Sequence, residues 1–351
     1  MKIEYNVACH SLCLTQIRAL RRAVIEVAAG LFKCCMTTSA AKQRFLADTD
    51  NIQHDDTLLV PFWNPYRPAA IKKRYAQRQI LSIFDVIPFK YPNKFPIGFK
   101  GKLALIENLN ALHHFDEFIT ISEASKKDIV QHLNIEPERI HVVYPTTSKV
   151  FFGNKQAQKT KKQPQLDIPH LPFCVYVGDI NWNKNIVNIA RALQIAQIKG
   201  VFIGRAFCDQ HTDLEHPEHE EFKNFLQATA GSSDQFIFPG YVQDEDLLQY
   251  YQKAVCNILV SRDEGFGLSY LEASSQKCPS VLSDIPVFNE IADNAAMFAQ
   301  PEDAQSIAEK LVRLRDNNDV HKELSSKALA RSKMFAPEKF ASRLHKVLGV
   351  A

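Results

Sequence analysis

The sequence lacks long apolar runs and paired cysteines. No uncharged apolar stretch approaches the roughly 20 residues that a membrane-spanning helix needs. The eight cysteines among 351 residues form no C-x-x-C pair, and a chain of this length can build a core without disulfides. The chain starts with charge at Lys2 and Glu4 and no apolar stretch follows, so we expect no secretory signal. These absences predict a cytoplasmic protein with buried, reduced thiols.

Glycine is also scarce early in the chain, where Gly30 is the only glycine before Gly98. The sequence contains no G-x-G-x-x-G and no G-K-[ST], which weighs against dinucleotide oxidoreductases and P-loop enzymes. Two D-x-D triplets, Asp48–Asp50 and Asp244–Asp246, lie in a polar loop and at a predicted helix start, where acidic residues are favoured in any case. We therefore predict no metal site and no cofactor.

Charge is divided unevenly along the chain. Residues 1–150 carry 20 Lys and Arg against 14 Asp and Glu, a formal charge of +6, whereas residues 171–351 carry 18 against 24, a charge of −6. Two basic clusters stand out: Arg18, Arg21 and Arg22, and Lys72, Lys73, Arg74 and Arg78. They could meet an anionic lipid surface or an anionic acceptor, or they could be solvated faces. No basic and aromatic module typical of nucleic-acid binding is present.

The chain has one clear candidate linker. Residues 151–170 are polar, rich in Lys and Gln, and contain two prolines, so they cannot bury a core. We predict an N-terminal domain over residues 1–150 and a second domain over residues 171–334. The amphipathic helix predicted within residues 335–351 could pack on either domain.

Strands and helices alternate on both sides of the linker. After it, apolar runs beginning at residues 173, 201, 235, 256 and 280 alternate with patterns typical of helices. Such alternation predicts parallel sheets covered on both faces. The fold class is therefore α/β, with two doubly wound, Rossmann-like domains facing each other across a cleft. Ligands of such sheets bind beyond the carboxyl ends of the strands.

The most informative segment reads SRDEGFGLSYLE, from Ser261 to Glu272. A strand ends at Ser261 and a helix begins near Gly267, so free N–H groups at the helix start favour a diphosphate. Glu264 and Glu272 can each accept two hydrogen bonds from vicinal sugar hydroxyls. Spacing alone leaves open an ordinary strand, loop and helix with Glu272 on a solvated face.

With its glycines and flanking elements, this segment resembles family 4 of the retaining glycosyltransferases, which have the GT-B architecture. YVGDINWNKNI (176–186), IFPGYVQDEDLL (237–248) and DVIPFKYP (85–92) extend the resemblance over nearly the whole chain. It implies metal-independent transfer of a hexose from a nucleotide sugar.

The resemblance also implies roles for individual residues. Glu272 would bind the ribose hydroxyls, Glu264 the transferred sugar, and Lys184 the diphosphate. The backbone of Gly265, Phe266, Gly267 and Leu268 would lie against sugar and phosphate. The backbone of Val242 would contact the base, although core packing is an alternative. Asp85 would orient or activate the acceptor hydroxyl, or else cap a neighbouring helix.

Three positions and one loop depart from the family pattern. Phe84 replaces a common histidine, Asn183 replaces an arginine, and Lys277 replaces a glycine. The glycine-rich loop near the N-terminus is also missing, where this chain reads LCLTQIRALRR.

The resemblance implies a cytoplasmic enzyme, peripheral at the inner membrane, that moves mannose or rhamnose to a lipid-linked surface glycan such as a lipopolysaccharide O-chain. The alternative is a non-catalytic nucleotide-sugar-binding subunit of an active transferase, which the missing histidine and glycine loop would explain.

Overall fold

A computed structural model describes residues 3–5, 57–69, 71–153, 168–169, 171–209 and 211–349. The chain divides into two compact units. One unit is Thr147–Ala336, and the other combines the residues before Thr147 with those after Ala336. Each unit is built on a sheet whose described strands all pair in parallel.

The sheet of the first unit runs in chain order, β1-β2-β3-β4-β5. Its strands are β1 (Ile3–Tyr5), β2 (Thr57–Val60), β3 (Arg78–Ser82), β4 (Glu117–Thr120) and β5 (Ile140–Val142). Its helices among the described residues before Thr147 are α1 (Ile87–Lys90), α2 (Phe99–Ala111) and α3 (Glu123–Leu133). Strands β2 to β4 are mostly buried, as is expected of parallel strands that are covered on both faces.

The sheet of the second unit reverses its strand order at the centre. Its strands are β6 (Phe173–Val177), β7 (Lys199–Ile203), β8 (Phe236–Gly240), β9 (Cys256–Leu259), β10 (Ser280–Ser283) and β11 (Met297–Ala299). Its helices are α4 (Lys149–Phe152), α5 (Ile186–Ala196), α6 (Glu220–Thr229), α7 (Asp244–Lys253), α8 (Leu268–Ser275), α9 (Pro286–Ala292), α10 (Ala304–Asp316) and α11 (Asn318–Ser332). The order β11-β10-β9-β6-β7-β8 places β6 beside β9, and this pair is the switch point of a Rossmann-type sheet.

The last helix, α12 (Pro337–Leu348), belongs to the first unit. Its apolar residues Phe340, Leu344 and Leu348 share a buried cluster with Leu59 and Ile80 of the sheet. Side chains of successive strand residues point to opposite faces, so the neighbours of Leu59 and Ile80 form a separate cluster with α3. The first sheet is therefore covered on both faces.

The second sheet has two cores by the same alternation. Cys174 and Tyr176 of β6 pack in one cluster with residues of α5, α6 and α10. Phe173 and Val175 pack in the other with residues of α7 and with Phe151 of α4. The predicted α/β fold class and the alternation after residue 171 are confirmed.

Some details of the sequence reading need correction. Ser125 and Asp128 have the spacing of a capping box, which predicts a helix that starts at Ser125. The structure differs: α3 begins at Glu123, and Ser122 caps it by accepting a hydrogen bond from the backbone N–H of Ser125. Within the predicted linker, Phe151 and Ile168 are buried in the second unit. Residues 154–167 lie outside the described residues. The same holds for the stretch from Thr15 to Phe32, where the sequence pattern predicts a helix. In the described part of the chain, no helix has the length and hydropathy needed to cross a membrane.

Candidate active site

The predicted donor-site residues come from loops at the switch point of the second sheet. The chain leaves β6 and forms a 3-10 turn, Trp182–Lys184, before α5. It leaves β9 and passes through Ser261–Gly267 into α8. Because β6 and β9 are parallel neighbours, their carboxyl ends lie side by side. Lys184 and Glu264 thereby meet although they are 80 residues apart in the chain.

Lys184 and Glu264 form an ion pair. The Lys184 ammonium donates to Oε1 of Glu264 at 2.6 Å, and the Ser261 hydroxyl donates to the same oxygen at 2.9 Å. The Glu264 side chain is 9% exposed and that of Lys184 is 22% exposed. Burial strengthens the electrostatic interaction and fixes both groups at the end of the strands.

Hydrogen bonds to backbone carbonyls join the two loops that carry this ion pair. The Asn183 side-chain amide donates to the carbonyl of Asp263 at 3.1 Å, and the Arg262 backbone N–H donates to the carbonyl of Asn183 at 2.8 Å. Asn185 adopts the left-handed conformation, with φ of 59°, and its amide donates to the carbonyl of Val260 at 2.9 Å. Asn183 stands where relatives have an arginine, and here it serves as a buried connector between the loops.

Arg262 is a structural residue of the site that the sequence reading did not assign. Its guanidinium lies 5.2 Å from the centre of the Trp182 ring and donates to the Trp182 carbonyl at 2.5 Å. It also forms ion pairs with Glu221 at 3.0 Å and with Glu302 at 2.6 Å. Burial raises the pKa of Glu221 more than Arg262 lowers it. No local signal in the sequence marks this role, because Trp182, Glu221 and Glu302 lie far from Arg262 along the chain.

The start of α8 has no side-chain cap. Gly267 is the N-cap residue and has a φ of +100°, a conformation that glycine tolerates. No side chain caps the helix, so its N-terminal partial charge favours an anion. Phe266 is buried and its ring packs at 5.4 Å from that of Phe335, so only its backbone could face a ligand.

Glu272 lies inside α8 and is buried rather than on a solvated face. The Tyr251 hydroxyl donates to Oε2 of Glu272 at 3.2 Å. Burial raises the pKa of Tyr251 well above its usual value, and the nearby Glu272 raises it further, so the phenol stays protonated as a donor. This hydrogen bond holds one oxygen of the carboxylate.

Val242 follows Gly240 at the carboxyl end of β8 and packs partly against the core of α7. Its side chain thus takes the packing role that the sequence left as an alternative, and base contact through its backbone stays a prediction. Beside it, the Arg205 guanidinium lies 4.7 Å from the centre of the half-exposed Tyr241 ring.

Asp85 belongs to the first unit. It lies three residues beyond the end of β3, and its Oδ1 accepts a hydrogen bond from the backbone N–H of Ile87 at 3.2 Å, at the start of α1. This oxygen therefore binds the backbone at the start of α1, which is the contact that the capping alternative predicts. Its neighbour Phe84 packs against Phe62, with ring centres 5.4 Å apart. A role of Asp85 toward an acceptor stays a prediction.

Several other sequence candidates have structural partners. Arg74 pairs with Asp116 at 2.6 Å while its side chain stays 45% exposed, and the less exposed Arg78 pairs with Glu117 at 2.6 Å. The cluster at Arg18 and the triplet at Asp48 lie outside the described residues. Across the described residues, no group of three His, Cys, Asp or Glu could hold a metal ion.

Residues 158–331 match the family described as Glycosyl transferases group 1. They form a group 1 glycosyltransferase domain. Lys184, Glu264 and Glu272 all lie within it, and the resemblance seen in the sequence is confirmed.

Two curated proteins are similar to a large part of the chain. The O-antigen chain mannosyltransferase RfbU of Salmonella typhimurium is 25% identical over 66% of this chain and 59% of its own length. The serotype-specific mannosyltransferase WbdA of Escherichia coli is 36% identical over 68% of this chain but only 28% of its own length. The chain thus spans less than two thirds of either relative.

The fold is shared with solved glycosyltransferase structures. A sucrose-phosphate synthase from Thermosynechococcus elongatus superposes with a TM-score of 0.65, covering 93% of this chain and 78% of that one at 17% identity. The predicted GT-B class is therefore confirmed for the chain, with the group 1 domain as its second unit.

Proposed function

We propose that this protein is a retaining, metal-independent mannosyltransferase that acts on a lipid-linked surface glycan such as a lipopolysaccharide O-chain. The observation that carries the proposal is the buried ion pair of Lys184 and Glu264 beside the uncapped start of α8, within a group 1 glycosyltransferase domain. The names of the relatives RfbU and WbdA favour mannose over rhamnose as the transferred sugar.

The leaving group explains the need for Lys184. As the bond between the sugar C1 and the diphosphate breaks, negative charge grows on the diphosphate oxygens. A fixed ammonium and a helix N-terminus stabilise that charge best where water is excluded. The ion pair with Glu264 holds Lys184 in place for this task.

The two glutamates would recognise the rest of the donor. One oxygen of Glu264 is held by Lys184 and Ser261, which leaves its carboxylate oriented to accept sugar hydroxyls. Glu272 would accept the ribose hydroxyls. The backbone of Gly265, Phe266, Gly267 and Leu268 would approach the sugar and phosphates, and that of Val242 the base.

We assign the reaction a front-face course. The acceptor oxygen forms its bond to C1 on the side from which the diphosphate departs, and a diphosphate oxygen takes the acceptor proton. The anomeric configuration is retained without a covalent enzyme intermediate. Asp85 would orient the acceptor hydroxyl.

A lipid-linked acceptor determines where the enzyme must work. The glycan grows at the cytoplasmic face of the inner membrane, and we place the enzyme there as a peripheral protein. The positive charge of the first 150 residues fits an anionic membrane surface.

The test measures sugar transfer to O-chain acceptors from a panel of donors that includes GDP-mannose, dTDP-rhamnose and UDP-glucose. Release of nucleoside diphosphate is the readout. We expect turnover with a mannose donor and an α-linked product from an α-linked donor. An inverted product, or turnover that requires a divalent cation, would contradict the proposed mechanism.

Phe84 gives a reason to keep a second candidate. Its phenyl ring, packed on Phe62, occupies the position of a histidine that lies by the sugar in many relatives. The chain would then be a nucleotide-sugar-binding subunit of another transferase. Tight donor binding with no turnover on any acceptor would favour this second candidate.

A further inference from the structure

The helix α2 carries its large apolar side chains on the side that faces away from the protein. Phe99 is 77% exposed, Leu103 is 54% exposed and Ile106 is 58% exposed. Their spacing of four and three residues places them in one line along the helix. A helix of a water-soluble domain normally shows the opposite arrangement.

The inner side of α2 is made of small and polar residues. Ala104, Asn108 and Ala111 are its buried positions. The Asn108 amide donates to the carbonyl of Arg67 at 2.7 Å, which ties the helix to the segment that follows β2. These residues hold one side of the helix to its unit, and the apolar line on the other side is left for another contact.

The exposed charges of α2 beside this line are positive. Between Asp85 and Glu107 the chain has four lysines and no acidic residue. Lys100 and Lys102 lie on α2 itself and are exposed, and neither forms an ion pair with another described residue. Glu107, at the end of this stretch, pairs with Lys72 and accepts from the backbone N–H of Ala69 at 2.9 Å.

An apolar line edged by lysines matches an anionic bilayer. Apolar side chains enter the boundary between headgroups and acyl chains, while lysines meet lipid phosphates. The helix has 13 residues and is roughly 20 Å long, so it suits a position in the plane of the surface rather than across the membrane. A symmetric contact with a second copy would bring the same lysines face to face, which like-charge repulsion disfavours.

We propose that α2 is a membrane-surface helix that inserts Phe99, Leu103 and Ile106 into an anionic lipid bilayer. The choice of a lipid rather than a protein partner rests on the proposed function, since a lipid-linked acceptor lies at a membrane. The site in the second unit does not depend on this helix.

The test is co-sedimentation with vesicles of phosphatidylcholine, with and without phosphatidylglycerol. We expect the protein to bind the anionic vesicles, and Phe99→Asn with Ile106→Asn to weaken binding at least about tenfold. The double substitution Lys100→Gln with Lys102→Gln removes two positive charges. It should weaken binding to anionic vesicles and make that binding less sensitive to salt.

Matched controls are available in the second unit. Ile195 of α5 is 49% exposed, so Ile195→Asn removes a similarly exposed isoleucine from a different helix. Lys253→Gln with Lys322→Gln removes two exposed lysines elsewhere. We expect these variants to bind vesicles like the parent protein, and all variants to keep nucleoside diphosphate affinity and thermal unfolding temperature.

Three results would overturn the inference: a parent protein that does not bind anionic vesicles, α2 variants that bind as well as the controls, or a dimer in sedimentation velocity that the α2 variants abolish. If the α2 variants also retain sugar transfer to a water-soluble acceptor, the proposed function stands. If instead none of the proteins transfers sugar while the parent protein still binds anionic vesicles, the proposed function alone is contradicted.

Discussion

At the scale of single residues, the Lys184 and Glu264 pair places a cation and an anion within 2.6 Å of each other. A nucleotide sugar presents both kinds of partner, because its diphosphate is anionic and its hydroxyls are hydrogen-bond donors. One ion pair can therefore address two parts of the same donor. Glu264 would therefore bind the hydroxyls of the transferred sugar, whereas Glu272 would bind those of the ribose.

Replacing Glu264 with Ala should reduce turnover by about a hundredfold, since contacts to the reacting sugar act mainly in the transition state. The affinity for free nucleoside diphosphate should fall much less than turnover, because that ligand has no sugar at this position and loses only the positioning of Lys184. Steady-state kinetics and calorimetry measure the two quantities. Ser261→Ala, which removes one donor to the same oxygen, serves as a milder comparison. Equal losses in turnover and in diphosphate affinity would assign Glu264 to the phosphates instead.

Replacing Glu272 with Ala should weaken nucleoside diphosphate binding about tenfold to a hundredfold, which corresponds to one or two hydrogen bonds to a charged group. The matched variant is Tyr251→Phe, which removes the donor at 3.2 Å but keeps the carboxylate. It should change the affinity less than about threefold. Calorimetric titration of both variants measures the difference, and an unchanged affinity in Glu272→Ala would remove the ribose contact from the proposal.

At the scale of elements, α8 can begin where it does because residue 267 is glycine. A Cβ built there would lie 2.7 Å from Cε1 of Phe288 and 2.9 Å from Cδ2 of Leu259, in addition to the strain of a positive φ. We expect Gly267→Ala to lower the free energy of unfolding by about 2–4 kcal/mol, from left-handed backbone strain and overpacking. Urea unfolding measures this.

The control for that substitution is Gly231→Ala. A Cβ at Gly231 meets no atom within 4 Å, and the residue is exposed. Its effect should stay within about 0.5 kcal/mol. If both variants unfold at the same urea concentration, the tight packing under α8 does not govern its start.

Elements were the most predictable level of this protein. The strands of the second unit were foreseeable because each apolar run is bounded by glycine, proline or charge, as in FCVYVGD. The residue that caps α3 could not be predicted, because Ser122 and Ser125 are both residue types that commonly cap helices. Only the backbone shows that the Ser122 hydroxyl accepts from Ser125.

The site was predictable as far as local sequence reaches. The E-G-F-G-L segment and Lys184 could be found by resemblance, and the strand order explains why they meet. The clamp of Arg262 on Trp182, Glu221 and Glu302 could not, because its partners come from three distant segments. The sequence also did not predict that the apolar line of α2 is exposed. Its apolar residues follow an ordinary helical pattern, which is typical of a buried face.

At the scale of the whole molecule, an ion-pair cluster ties the last helix to the first sheet. Arg78 donates to both oxygens of Glu117 at 2.6 and 2.9 Å and also to the carbonyl of Val347 at 2.7 Å. His141 contacts Glu117 at 2.6 Å. The hydrogen bonds from Arg78 hold the pKa of Glu117 below its usual value, despite partial burial.

This cluster predicts a pH-dependent stability. Because the pKa of Glu117 is lower in the folded state, its ionised form stabilises the fold above the unfolded pKa of about 4.3. The contribution disappears as the pH falls from there through the folded pKa. Glu117→Gln should therefore cost on the order of 1 kcal/mol at neutral pH and progressively less below about pH 4. Urea unfolding at several pH values tests this.

An exposed pair supplies the comparison. Glu323 and Lys327 pair along the surface of α11, where such contacts contribute little. Glu323→Gln should leave the unfolding midpoint at neutral pH almost unchanged. A difference between parent and Glu117→Gln that stays constant down to acidic pH would show that the cluster acts through packing rather than charge.

Since α12 completes the core of the first unit, that unit is assembled from chain segments separated by the entire second unit. A ribosome synthesises the contiguous Thr147–Ala336 segment before it reaches Phe340, Leu344 and Leu348. The second unit can thus mature during translation, whereas the first must wait for the closing helix to leave the exit tunnel. We therefore expect the usual order, in which the N-terminal domain folds first, to be reversed here.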